Sequence, residues 1–333
     1  MSNLSLVIEK PEQINIIEKE IPTLNENEVL IEVKASGICG TDIHIFEGSY
    51  MGSYPVIPGH EFSGVVKAVG NNVKRIKVGD HVAVEPNIAC DNCWYCLNNE
   101  QNFCENWQAV GVTLPGGMAQ YVKAPEKATF NIGKLSFIEG AFVEPLSCIL
   151  HGIEKLNLKI SETVLIVGAG PIGLLLMQVL MAKGVSKISI VEVDKNRANS
   201  AEAMGANKIY LSFDECKKRD FDVVVDATGA PKVMEKSLDF SRMGGKVLLF
   251  GVPPMDSKVT FDAFQIFRKG LRIMSSFTSV RNSYQAISLL QSGLLNVKEL
   301  VTHQLTLEEF EKGIKIIKNK TENSMKIMIL PND

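Results

Sequence analysis

The stretch Val164-Leu165-Ile166-Val167-Gly168-Ala169-Gly170-Pro171-Ile172-Gly173 decides the fold. An apolar run of strand type ends in glycines and opens a helix. Strand, Gly-x-Gly-x-x-Gly turn and helix N-terminus, in that order, form a cradle for a pyrophosphate. Gly168 allows the tight turn, Gly170 lets the backbone approach the phosphates, and Gly173 lets the helix pack close to the strand. The glycine pattern alone is a weak signal, but here both flanking elements are present. Glu192 follows about twenty positions later, at the end of a second β-type run. A carboxylate there accepts hydrogen bonds from ribose hydroxyls and repels a 2′-phosphate, which favours NAD over NADP. Arg197 is the one feature on the side of NADP. Thr228 and Gly251, at the ends of two later runs, complete the expected cofactor site.

Working outward, the runs Lys187–Val193, Phe221–Asp226, Gly245–Gly251 and Leu271–Ser275 read as further strands. Helical stretches such as Arg197–Met204 and Lys232–Phe240 lie between them. Strands alternating with helices predict a parallel, doubly wound sheet. Ahead of it, Val29–Val33, Gly64–Val69 and Asp80–Val84 read as short strands separated by Gly, Asn and Asp turns. After it, Ser283–Gln291 and Leu307–Asn319 read as helices and Lys326–Leu330 as a last strand. The expected division is 1–152, 153–280 and 281–333, and no repeat or low-complexity segment interrupts it.

The chain of 333 residues exceeds the roughly 250–300 at which a single core stops growing, which favours two domains. A net charge of −3 and a pI near 6.0 give no electrostatic case for nucleic acid. The only basic run, Lys217-Lys218-Arg219, reads as a solvated loop. Met1–Lys10 lacks the basic and apolar regions of a secretory signal. Val164–Ala182 is uncharged and long enough to span a bilayer. Gly168, Gly170, Pro171 and Gly173 would interrupt such a span, so no membrane partner is expected, and the cytoplasm is the expected compartment.

Seven cysteines, an odd number and clustered, point to metal rather than to a disulfide framework. Cys90, Cys93, Cys96 and Cys104 place four thiols within fifteen residues. That spacing suits a tetrahedral structural zinc with no open position. An iron–sulfur cluster, unliganded thiols and a zinc ribbon for nucleic acid are the alternatives. A second set is more dispersed: Cys39, Thr41 and His44 in Gly37–His44, His60 and Glu61 after Gly59, and Glu144 before Pro145. Together they offer the mixed N, O and S donors of a catalytic zinc. His81 and His303 read as strand-end or surface residues, and His151 as the start of a helix. Cys148 and Cys216 read as a buried and an exposed thiol.

These segments, with Gly79–Val82 and Glu144–Cys148, resemble the zinc-containing medium-chain dehydrogenase/reductase superfamily over essentially the whole chain. The resemblance implies an α/β protein: a GroES-like, β-rich catalytic domain, an inserted Rossmann nucleotide domain and a C-terminal return. It implies that Cys39 and His60 bind the catalytic zinc and that Glu61 and Glu144 complete or support the shell. One thiolate and two carboxylates would overcharge a divalent ion, so one of the two glutamates is expected to stand back or to exchange with water. Thr41 would hydrogen-bond the substrate oxygen, and His44 would sit on the proton path. Glu144-Pro145-Leu146-Ser147 is similar to the polyol branch, which includes sorbitol, xylitol, arabitol and butanediol enzymes. Phe277 is followed by Thr278, where sorbitol dehydrogenases carry an arginine. The expected reaction is NAD-dependent oxidation of a secondary alcohol, a sugar alcohol (polyol), by a homo-oligomer (dimer or tetramer). L-threonine 3-dehydrogenase, butanediol dehydrogenase and a non-catalytic nucleotide-binding relative are the rival readings.

Overall fold

The computed structural model describes residues 2–333; Met1, with which the first expected domain opens, lies outside the described residues. Internal contacts divide the chain into two units. One comprises residues 2–147, Thr278–Gly293 and Val297–Asp333, and the other Cys148–Phe277 and Leu294–Asn296.

The second unit is built on a six-stranded parallel sheet. Across it the strands are Lys208–Tyr210, Lys187–Val191, Thr163–Val167, Phe221–Asp226, Ser241–Leu249 and Arg272–Ser275. In chain order they are third, second, first, fourth, fifth and sixth, so the order reverses between Thr163–Val167 and Phe221–Asp226. Open α/β sheets bind ligands outside the carboxyl ends of their strands at such a reversal. Gly168 and Ala227 follow the two ends concerned. Val164, Leu165, Ile166, Val223, Val224 and Val225 are fully buried, the pattern of central parallel strands. The uncharged run resolves into the strand Thr163–Val167 and the helix Pro171–Ala182, with Gly170 as its N-cap. No helix among the described residues is long and apolar enough to cross a membrane.

The first unit carries a seven-stranded sheet. Val301–Leu305, Lys326–Ile329, Glu28–Gly37, Glu61–Val69, His81–Val84 and Thr129–Asn131 follow one another, and Tyr121–Pro125 also pairs with Glu28–Gly37. The central strand runs past the expected Val29–Val33 because Ala35 and Ser36 are fully buried and pair with Ser63 and Phe62. An N-terminal hairpin, Ser2–Lys10 with Gln13–Glu20, was not foreseen. It buries Leu6, Val7 and Ile8 in a cluster with Ile45, Phe310, Ile314 and Ile327.

Several local expectations change. His151 lies inside the helix Val143–Leu156 rather than at its start. The last long helix starts at Phe310, because the Glu309 carboxylate accepts the Thr306 N–H and closes a turn ahead of it. The two remaining thiols differ from expectation: Cys148 is only part-buried, and Cys216 is fully buried rather than exposed. Cys216 packs with Tyr210, Phe221 and Phe240, and burial pushes its thiol pKa up.

Candidate active site

Gly37 ends the central strand, and Cys39 caps the helix Gly40–Glu47 that follows. Asp42, in the first turn of that helix, accepts the Cys39 N–H at 2.8 Å and the Gly59 N–H at 3.2 Å. One fully buried carboxylate therefore ties together the two turns that present Cys39 and His60. Glu61 opens the neighbouring strand in register with Gly37. As a result, single donor atoms of Cys39, His60 and Glu61 all lie within 4.8 Å of one another.

The chemistry of this set suits a metal cation. His60 is buried, and its Nδ1 stands 3.5 Å from Asp42 without a hydrogen-bond partner. Burial works against charge on the ring, yet Asp42 and then Cys39 hold its pKa well above the usual imidazole range. Surroundings that keep a proton on a buried imidazole stabilise positive charge, and a metal supplies that charge instead. Thiolate, imidazole and carboxylate are the donors of an open zinc site with a position left for water or substrate.

The other expected residues fall around this set. Glu144 is buried in the first turn of Val143–Leu156 but is not one of the three clustered donors. Thr41 and His44 share the helix Gly40–Glu47, and His44 Nδ1 lies 3.3 Å from Ser49 Oγ. Around this donor set, Asp42 and Lys326 carry no role in the sequence reading. Asp42 left a trace, an acid three positions after a helix cap. Lys326 left none. Its ammonium pairs with Glu61 Oε2 and donates to the Ile38 carbonyl at 3.0 Å. Burial opposes its charge, but Glu61 and then Cys39 hold its pKa above the ordinary lysine value.

The four-cysteine lobe is a different construction. The Sγ pairs Cys93–Cys96, Cys90–Cys96 and Cys93–Cys104 are 3.5, 3.9 and 4.0 Å apart. A tetrahedron with Zn–S bonds of about 2.3 Å has edges of about 3.8 Å, so all four donors fit one ion. The Asn92 backbone N–H, ahead of other contacts, brings the Cys90 thiol down to about 6, whereas burial pushes Cys96 up to about 12. Trp94 and Leu97, between the cysteines, are exposed, so the lobe has little core of its own.

In the nucleotide unit the fingerprint residues gather at the carboxyl ends of the sheet. Gly168 has φ of +100°, and a Cβ on Gly173 would lie 1.9 Å from the Gly168 carbonyl oxygen. Only glycine permits that contact. Pro171 and Ile172 begin the helix above the turn. Glu192 is buried beside it, accepting the Ala169 N–H at 2.7 Å and the Asp194 N–H at 2.9 Å. Arg197 borders the same turn, 3.7 Å from where a Cβ on Gly170 would be. Asp226 was also missed. It is fully buried, with its pKa raised by burial, and accepts from the Thr228 N–H and hydroxyl and from the Gly229 N–H. Gly251 packs on Gly229, leaving 2.0 Å between a would-be Cβ and the Gly229 nitrogen.

Comparison with known proteins gives two family matches. Residues 25–134 match the alcohol dehydrogenase GroES-like domain, and residues 171–292 match the zinc-binding dehydrogenase family. D-arabinitol dehydrogenase 1 of Uromyces fabae is 34% identical over 340 residues, covering 98% of this chain and 97% of that protein. D-altritol 5-dehydrogenase of Agrobacterium fabrum is 34% identical, covering 88% and 90%. A Sinorhizobium meliloti 1021 protein described as a zinc-binding dehydrogenase, solved with NADP bound, superposes with a TM-score of 0.94. It is 30% identical and covers 99% of this chain and 100% of that one.

Proposed function

The chain belongs to the polyol branch of the zinc-containing medium-chain dehydrogenases, and on that premise we propose that it oxidises a vicinal secondary alcohol of pentitol or hexitol size with NAD⁺. The single observation that carries this reading is the open donor set of Cys39, His60 and Glu61, built beside a fully buried Asp42.

When bound, zinc supplies a Lewis acid that eases loss of an alcohol proton, and the dinucleotide accepts the hydride. The chain's own residues do the rest. Cys39, His60 and Glu61 would hold the metal, and Asp42 fixes the turns that carry them. Thr41 orients the substrate oxygen and receives its hydrogen bond. His44, with Ser49 at its Nδ1, passes the proton toward solvent. The alcohol thus loses one proton and one hydride and leaves as a ketone. A second hydroxyl beside the reacting one gives the substrate another anchor and limits misorientation.

Glu192 supports NAD⁺ in this chain, although the Sinorhizobium relative carries NADP. A threonine substrate would need a cation for its carboxylate, and the cation beside the site, Lys326, is taken up by Glu61. Cys90, Cys93, Cys96 and Cys104 would hold the structural zinc. A homo-oligomer in the cytoplasm completes the reading.

The test is a panel of four- to six-carbon polyols, 2,3-butanediol, ethanol and threonine, each with NAD⁺ and with NADP⁺, followed by the absorbance of the reduced nicotinamide. A pentitol or hexitol with NAD⁺ should give the highest kcat/KM. Ethanol or threonine ahead of every polyol and diol would overturn the substrate reading.

A further inference from the structure

Three strands of one sheet meet where the open metal site begins. Glu28–Gly37 lies between Glu61–Val69 and Lys326–Ile329, with Gly37 opposite Glu61 on one side and Met328 on the other. The side chains of Glu61 and Lys326 reach each other across Gly37, which offers no side chain to block them. A Cβ there would lie 2.5 Å from Glu61 Oε2, 2.8 Å from Lys326 Cε and 3.1 Å from its Nζ. Both partners are buried, 1% and 6% exposed at the side chain. The ammonium's other contact is the carbonyl of Ile38, next to Cys39.

We propose that Lys326 is a positioning residue for the open metal site, holding Glu61 as an exchangeable ligand rather than a permanent one. This rests on the assignment of Cys39, His60 and Glu61 to a metal. The physical case is a competition. Cys39 as thiolate, Asp42 and Glu61 bring three negative charges into a buried space, and Lys326 supplies one positive charge. A divalent cation balances the remainder. Glu61 therefore has two cations to serve, and the one on Lys326 is covalently tethered. A carboxylate shared in this way is a weaker metal ligand than one with no other partner, because each cation lowers its electron donation to the other. Glu61 can then give way to a substrate hydroxyl and return to Lys326, without leaving a buried charge unpaired at any stage. The same lysine resolves the charge excess that two carboxylates and a thiolate would otherwise impose.

The experiment loads the full-length protein with zinc, measures metal content, and follows metal loss to a chelator in Lys326→Met, Lys326→Arg and Lys326→Met/Glu61→Gln. Metal content separates the two levels. If only the four-cysteine lobe holds metal, the site assignment itself fails. With both sites loaded, Lys326→Met should slow metal loss from the open site by roughly tenfold, the scale at which partners of metal ligands act. Lys326→Arg should stay near the parent rate, and adding Glu61→Gln should cancel the gain. Unchanged or faster loss in Lys326→Met, or a gain that survives Glu61→Gln, would overturn the proposal. A merely structural lysine would speed metal loss, the opposite sign. If Lys326→Met does not fold, Gly37→Ala decides: its methyl group wedges the pair apart while keeping both charges. It should also slow metal loss, and a parent-like or faster rate would overturn the proposal.

Discussion

The four-cysteine lobe and the Cys39–His60–Glu61 site both suit zinc, but they are assembled at different ranges. The lobe draws all four donors from Cys90–Cys104, and short turns bring the thiols to 3.5–4.0 Å. The open site draws on residues 39, 42, 60, 61 and 326, and its geometry depends on which strands lie side by side. Local assembly gives a closed shell of identical donors, suited to pinning a loop with little core. Assembly by sheet register allows donors of different kinds, a carboxylate that ties two turns together and a tethered cation. Those additions leave room for chemistry.

The largest expected effect lies at Cys39. Cys39→Ala should lower kcat by on the order of 10³-fold or more, since the open site's Lewis acid contributes several kcal/mol. Metal content should fall from two ions per chain to one, and chelation of the parent should empty the open site first, with activity. Loss of both ions from the variant would show that the sites are not independent.

Cys96→Ser probes the other side. It should cost the lobe its ion and lower Tm by roughly 5–10 °C, the shift expected from a few kcal/mol in a chain of this size. The enzyme that stays folded at low temperature should keep kcat within about tenfold. A loss of turnover as deep as that of Cys39→Ala would remove the distinction between a pinning site and a reacting one.

Glu192→Ala tests the nucleotide end. The preference for NAD⁺ over NADP⁺ in kcat/KM should narrow by roughly tenfold as ribose recognition and repulsion of the 2′-phosphate are both lost. A parent enzyme that uses both cofactors equally would remove Glu192 as the selector.

The smallest effect belongs to Asp222, a residue of the nucleotide unit that belongs to neither metal site. Burial opposes its ionisation, but the Thr163 N–H and then Arg242 bring its pKa down from 3.8 to about 2. A depressed carboxyl stabilises the folded state above its unfolded pKa and loses that contribution as pH falls through the folded value. Asp222→Asn should therefore cost about 1 kcal/mol at neutral pH, the worth of a part-exposed charged hydrogen bond. The gap to the parent in denaturant titrations should close between about pH 4 and 2. A gap that persists at pH 2 would assign the effect to packing.

What could be read from residues alone follows the same division. The strand Thr163–Val167, its glycine turn and the next helix were legible because the signal lies within about twenty residues and each glycine has one steric reason to be there. The N-terminal hairpin was not, because the alternation of Gln13–Ile16 breaks at Ile17 and the strand ends in the charged Glu18-Lys19-Glu20. Cys216 reads as exposed because its neighbours in sequence are charged, whereas its neighbours in space are Tyr210, Phe221 and Phe240.

The sequence by itself determined the parallel nucleotide sheet, the four-thiol lobe and the kinds of donor at the open site. Each rests on spacing along the chain or on the chemistry of a short motif. Only the tertiary structure decided that Glu61 rather than Glu144 joins Cys39 and His60, and that Lys326 stands against it. The physical reason is distance: Lys326 is 265 positions from Glu61. The two meet only because the C-terminal strand pairs beside Glu28–Gly37 and Gly37 leaves the space between them open.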